Sequence, residues 1–303
     1  MISTTDLKEY VLSSGAQLVG IAPASRFEGA PEGKRPEDIL PGAKSVVVIG
    51  IRLVDGALQS IFRAMEEGKK YLHGLFGTYC AALIPNMKMG NLTLETAKYI
   101  ENTMGGIAVP TATGPYQKDS AFSQRRAAVA AGLGEMGLSG YVITPEYGPR
   151  VRFCSVITDL ELTPDPMYEG EPLCSGESCG DCLSVCPTCA LQKKITTTIG
   201  GKEITYYDRD ECRCKLASYG LVKETAVPNT PFTKPPKKVV HDLDNLTNEY
   251  ILDQVHDMDP EGFSTMMYAN WKCELCMIYC PTGHWNERFK DRHISRGKEA
   301  ILR

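Results

Sequence analysis

Cys174-SGES-Cys179-GD-Cys182-LSV-Cys186-Pro187 is the stretch on which the reading of this chain turns. Its four cysteines stand at gaps of four, two and three residues, and proline follows the last. A second stretch, Cys273-EL-Cys276-MIY-Cys280-Pro281, repeats the C-x2-C-x3-C-P half. The rest of the chain can be read as supplying electrons to these two runs or using electrons drawn from them.

Both runs resemble the bacterial ferredoxin pattern C-x2-C-x2-C-x3-C-P, the first with two extra residues in its opening gap. A cubane cluster needs four thiolates converging from different directions. A C-x2-C loop presents two of them, and the next cysteine completes the loop's share. The cysteine before proline opens a segment that points away, and in two-cluster ferredoxins it ligates the other cluster. That logic puts Cys174, Cys179, Cys182 and Cys280 on one [4Fe-4S] cluster. Cys186, Cys273 and Cys276 fall to the other, which lacks one ligand. The segment Tyr207–Cys214 supplies the candidates, Cys212 and Cys214. Zinc ribbons also use C-x2-C pairs, but a zinc site has no use for an x3-Cys-Pro tail. Cys80, Cys154 and Cys189 are left over.

The 303 residues leave room for roughly two domains. A formal net charge of −4 gives no general attraction to nucleic acid or anionic lipid. The opening MISTTDLKEY is polar, without an apolar h-region or twin arginine. No uncharged apolar run approaches the ~20 residues that a membrane helix needs. These features predict a cytoplasmic protein with no membrane partner, and there clustered cysteines point to metal rather than disulfides.

Thr4-Thr5-Asp6 can cap a first helix, with Leu7, Val11 and Leu12 on one face. Leu18–Ala22 reads as a strand. Ser45-VVVIG-Ile51, β-branched and almost wholly apolar, reads as a central buried strand. Helices are expected over 53–72, 92–104 and 120–131, and a strand from Ile107. The run Gly132-L-Gly134-EM-Gly137 matches G-x-G-x-x-G, but it follows a helix where a dinucleotide fingerprint follows a strand. Its glycines suit tight turns or close approach to a flat ligand. Tyr141–Thr144 and Val151–Thr158 look like a β-hairpin around Pro145–Pro149. Gly200-Gly201 looks like another hairpin tip, and 248–255 a short helix. The basic tail 291–303 reads as a surface helix.

The run Gln124-RRAAVAAGLGEMGLSGYVITPEYGPRVRFCSVITDLEL, with Arg35-PEDILPGAKSVVVIG upstream, resembles the epoxyqueuosine reductases and reductive dehalogenases. In that family an AGLG-x-x-G turn precedes a GPR hairpin and a double-cubane module. The resemblance implies an α+β chain. Residues 1–170 would form a nitroreductase-like cobalamin-binding α/β domain. Residues 171–290 would form a ferredoxin-like domain with two [4Fe-4S] clusters and an inserted hairpin and loop. It favours Cys212 over Cys214, because Asp208 stands four residues before it as in the epoxyqueuosine branch. It offers Gly132, Gly134, Gly137 and Ser139 as cobalamin contacts, and Arg150 as partner of a carboxylate or of a cofactor side chain. Two departures stand out: the widened first gap, and Cys189 where C-P-T-G-A-L is usual.

The same resemblance places Asp119 as proton donor, since removing a hydroxyl or halide needs a proton at carbon or leaving group. Asp119 could equally cap the helix behind it. Tyr116, Tyr141 and Tyr147 are alternative donors, and His284 should pack near a cluster cysteine. The implied activity is reductive removal of oxygen or halogen from a small organic substrate, driven by a low-potential donor such as a ferredoxin or flavodoxin. The alternative is an electron-transfer protein or reductive activase for another corrinoid or redox protein. The export signal of respiratory dehalogenases and the helical-repeat extension of the tRNA-directed branch are not seen, so no nucleic-acid partner is expected. Oligomeric state is left open.

Overall fold

The computed structural model describes residues 3–66, 72–81, 83–111, 121–222, 241–258 and 273–283. Helix α1 (Thr4–Ser13) opens with a capping box: the Ser3 hydroxyl accepts from the Asp6 N–H, and the Asp6 carboxylate accepts from the Ser3 N–H. Chain reversal then gives β1 (Leu18–Pro23), and β2 (Ser45–Arg52) lies antiparallel beside it. Strand β3 (Ala108–Thr111) follows a long helix, and the fourth strand of this sheet is Val151–Thr158. That strand sits between β2 and β3, so the sheet runs β1, β2, Val151–Thr158, β3, antiparallel throughout.

The apolar run of β2 is buried over its whole length except at Arg52, because both faces of the sheet are covered. Val46 and Val48 face one core with Ala127, Ala128 and Val129 of the helix Gln124–Ala130. Val47, Ile49 and Ile51 face the other, with Leu7 and Val11 of α1 and Met89 and Leu92 of the helix Leu83–Tyr99. A fully buried Val or Ile is worth about 1.5–3 kcal/mol, so this strand holds the three layers together. Buried Gln124 fixes its helix to the sheet. Its Nε2 donates to the Thr111 carbonyl at 2.8 Å, and its Oε1 accepts from the Ser155 hydroxyl at 2.6 Å.

The expected hairpin between Tyr141–Thr144 and Val151–Thr158 does not form. Val142–Ile143 pairs instead with Glu135–Met136 in a separate two-residue ribbon. Val151–Thr158 needs eight-residue partners to satisfy its backbone and finds one in β2. The second expected hairpin is present. Leu191–Ile199 pairs with Lys202–Arg209 across Gly200-Gly201, both at positive φ as a two-residue hairpin turn requires. Its Ile199 and Tyr206 enter the core that contains Ala127 and Ala128, so the hairpin is built onto the sheet layer.

Among the described residues no helix is long and apolar enough to cross a membrane. Asp119, Tyr116, His284 and the tail 291–303 lie outside the described residues.

Candidate metal centres

The Gly200-Gly201 hairpin delivers its last residue, Arg209, to the start of the helix Glu211–Ser218. Asp210 caps that helix by accepting from the Arg213 N–H at 2.9 Å. Two cysteines ride on it, two residues apart and therefore some ~200° apart around the axis. Only one can face a given neighbour. Cys214, with Ala217 and Ser218 on its face, lines a small cavity together with Cys186, Cys273 and Cys276. Cys212 turns to the opposite side and packs with Leu216 and Ile251; its Sγ lies 3.8 Å from Asn248 Oδ1. The preference for Cys212 is thus corrected: the structure brings Cys214, not Cys212, to the other three.

The helices Asp181–Ser184 and Leu275–Ile278 of the two runs pack against each other. Burial pushes the Cys182 thiol up to about 12, and the near neighbours that add to it are Cys174, Cys280 and Cys179. Burial also raises Cys273 and Cys276, and the cysteines acting on each include Cys214 and Cys186. Cys280 therefore sits with the first run, and Cys186 with the second. Backbone donors reach the sulfurs: Ala190 N–H to Cys186 at 3.1 Å and Leu138 N–H to Cys174 at 3.4 Å. Such donors favour anionic sulfur.

Among the described residues no three Cys, His, Asp or Glu side chains converge closely enough to hold one metal ion. The four sulfurs of a cube each bind a different iron, so they stand farther apart than ligands of one ion. Two sets of four thiols, one around an apolar-walled cavity, fit that demand in donor chemistry. Cys189 is exposed and takes φ +48, where glycine is at ease. Cys80 and Cys154 are buried in the cores.

Glu274 and Arg152, to which sequence reading gave no role, tie the second run to the sheet. Glu274, inside the Cys273–Cys276 loop, is buried and pairs with Arg152 of the sheet at 2.5 Å. Tyr141 lies 3.5 Å from the same carboxylate, and burial raises its phenol far above the ordinary value. Arg209 lies over the Tyr141 ring at 4.8 Å. The sequence signal was a charged residue inside a cysteine loop, where nothing local calls for one.

The expected cobalamin contacts behave differently. Gly132, at φ +74, closes the helix Gln124–Ala130 in a Schellman motif, with Leu133 N–H bonding the Ala128 carbonyl. A Cβ there would stand 2.0 Å from the Pro166 carbonyl oxygen, and one on Gly134 would stand 2.1 Å from that of Ile143. One on Gly137 would meet the Ile143 side chain at 2.6 Å. These glycines are required by contact with their own chain. Ser139 is buried. Arg150 is buried too, and it donates to the backbone carbonyls of Cys280 at 3.0 Å and of Thr282, gripping the loop after the second run.

No protein-family model matches the chain. The tetrachloroethene reductive dehalogenase of Sulfurospirillum multivorans is 32% identical over 164 residues, covering 52% of this chain and 30% of that protein. The epoxyqueuosine reductase of Gloeobacter violaceus is 28% identical over 182 residues, covering 58% of this chain and 50% of that protein. The chain thus spans half or less of the length of these relatives. The solved epoxyqueuosine reductase from Streptococcus thermophilus matches 99% of this chain and 79% of its own, with TM-score 0.52 and 17% identity, a likeness of fold. The resemblance read in the sequence is therefore shown, and with it a mixed α/β fold. The expectation of no nucleic-acid partner gains no support from these comparisons.

Proposed function

We propose that the chain is an iron–sulfur reductase. In this reading Cys174, Cys179, Cys182 and Cys280 hold one four-iron cluster, and Cys186, Cys214, Cys273 and Cys276 hold another. The division into an acceptor-binding part, residues 1–170, and an electron-supplying part, residues 171–290, belongs to the same proposal. The crossing carries it: Cys186 lies with the second run and Cys280 with the first, as two-cluster ferredoxins require and zinc ribbons do not.

Bound clusters would supply single low-potential electrons. The chain's own residues do the rest. Ser175, Glu177 and Ser178 around the first cysteines are exposed, so a small donor such as a ferredoxin or flavodoxin can approach there. The second group is walled by buried Ala190, Leu191, Ala217 and Leu275, which keep water from it. The Ala190 and Leu138 N–H groups steady the sulfurs. The relatives' names support reductive removal of oxygen or halogen from an organic substrate. Cobalamin as the acceptor rests on the resemblance alone, and no step is assigned to it. Asp119 is proposed as proton donor on the same ground.

A second reading is an electron-transfer protein or activase. Anaerobic purification, iron and sulfide analysis and titration with cobalamin separate the two. About eight irons per chain, the content of two cubes, with a cobalamin spectral change on binding, supports the reductase. Full iron without cobalamin binding transfers the case to the activase. Iron near zero overturns both.

A further inference from the structure

We propose that Arg209 is the charge that sets the reduction potential of the group held by Cys186, Cys214, Cys273 and Cys276. This rests on the reading that these four cysteines hold a four-iron cluster.

Arg209 ends the strand Lys202–Arg209 opposite Leu191, and its side chain lines the same cavity as the four thiols. Its guanidinium lies over the Tyr141 ring at 4.8 Å. A guanidinium carries five donors and is always charged. Yet Arg209 makes no ion pair and donates no side-chain hydrogen bond to any described residue. The nearby carboxylate, Glu274, is engaged by Arg152 at 2.5 Å. The nearby cation, Arg125, donates to the Gly140 carbonyl at 2.6 Å. Asp208 accepts from the Arg209 backbone N–H at 3.0 Å, not from its side chain. A half-buried cation facing four sulfurs is costly unless negative charge arrives there. Four thiolates on a cube supply it, and one added electron increases it.

Reduction adds one electron, drawn from an external reductant, and neither makes nor breaks a bond. A fixed positive charge favours the more negative, reduced form, so Arg209 raises the potential. Net charge around a cluster is one of the terms that set its potential. At the first group Arg150, beside Cys280, donates to the backbone carbonyls of Cys280 and Thr282, and substitution of Arg209 leaves it in place.

The test uses the full chain, reconstituted anaerobically with iron and sulfide and titrated with dithionite through mediators, read by EPR. Arg209→Gln should retain about eight irons per chain. At fixed solution potential its reduced-to-oxidised ratio at the second group should fall at least tenfold, a shift of about 59 mV for one electron. Arg209→Lys keeps the charge and should stay within about threefold of wild type. The first group should not move and serves as the internal reference. Full iron with an unmoved potential in Arg209→Gln overturns the inference and leaves the cluster reading intact. Iron near zero in the wild type overturns the cluster reading and the inference with it. If Arg209→Gln does not assemble the second cluster, Arg209→Met is titrated in its place. Loss of that cluster from both neutral variants but not from Arg209→Lys supports the charge. Loss from all three makes Arg209 a structural residue only.

Discussion

Cys212 and Cys214 are separated by a single arginine, and a helix sends them to opposite sides. Cys214→Ser should therefore lose about half of the eight irons that two cubes hold, while Cys212→Ser should keep them. Iron and sulfide counting after anaerobic reconstitution checks the pair, and the reverse pattern would restore Cys212. Cys154 gives a contrasting thiol. It is fully buried in the central sheet, and that burial pushes it up to about 12. It should resist alkylation at about pH 8 in the folded protein and react once the chain is unfolded, as mass spectrometry of labelled peptides would show. A thiol raised above its usual value of about 8.5 stabilises the fold below that pH. That contribution is then lost as pH climbs toward 12.

At the scale of elements, the turn after the helix Gln124–Ala130 is the most constrained piece of backbone described. Gly132 needs positive φ, and its missing Cβ makes room for the Pro166 carbonyl. That carbonyl belongs to a segment anchored by Asp165, which accepts from the Ile21 N–H at 2.8 Å and from Lys8 at 2.5 Å. Neither partner can give way cheaply. Gly132→Ala should cost about 1–3 kcal/mol, read as a lower denaturant midpoint at unchanged slope. Sequence periodicity found this helix and its stop, because both are local. It misread the pairing of Val151–Thr158, because partner choice depends on strand length and burial across the sheet, not on the nearest turn.

At the scale of the whole molecule, one ion pair joins the sheet to the second cysteine run. Arg152 and Glu274 are 122 residues apart and meet at 2.5 Å with little solvent access. Removing one partner strands a buried charge, so Arg152→Met or Glu274→Gln should destabilise the fold by about 3–5 kcal/mol. The double change to apolar residues should recover much of that loss, since it strands no charge; denaturant titration of the three variants checks both statements. By itself the sequence determined the cysteine spacing, the buried strand Ser45–Ile51, the Gly200-Gly201 hairpin and the family resemblance. Each is written in neighbouring residues, through periodicity, turn chemistry and ligand spacing. Only the tertiary structure decided that Cys214 faces the thiols, that Arg150 grips backbone, that Gly132 and Gly134 turn inward and that Arg209 points into the cavity. Those are questions of side-chain direction. A direction acquires meaning only when the helix or strand that carries it has docked against a partner far away in the chain.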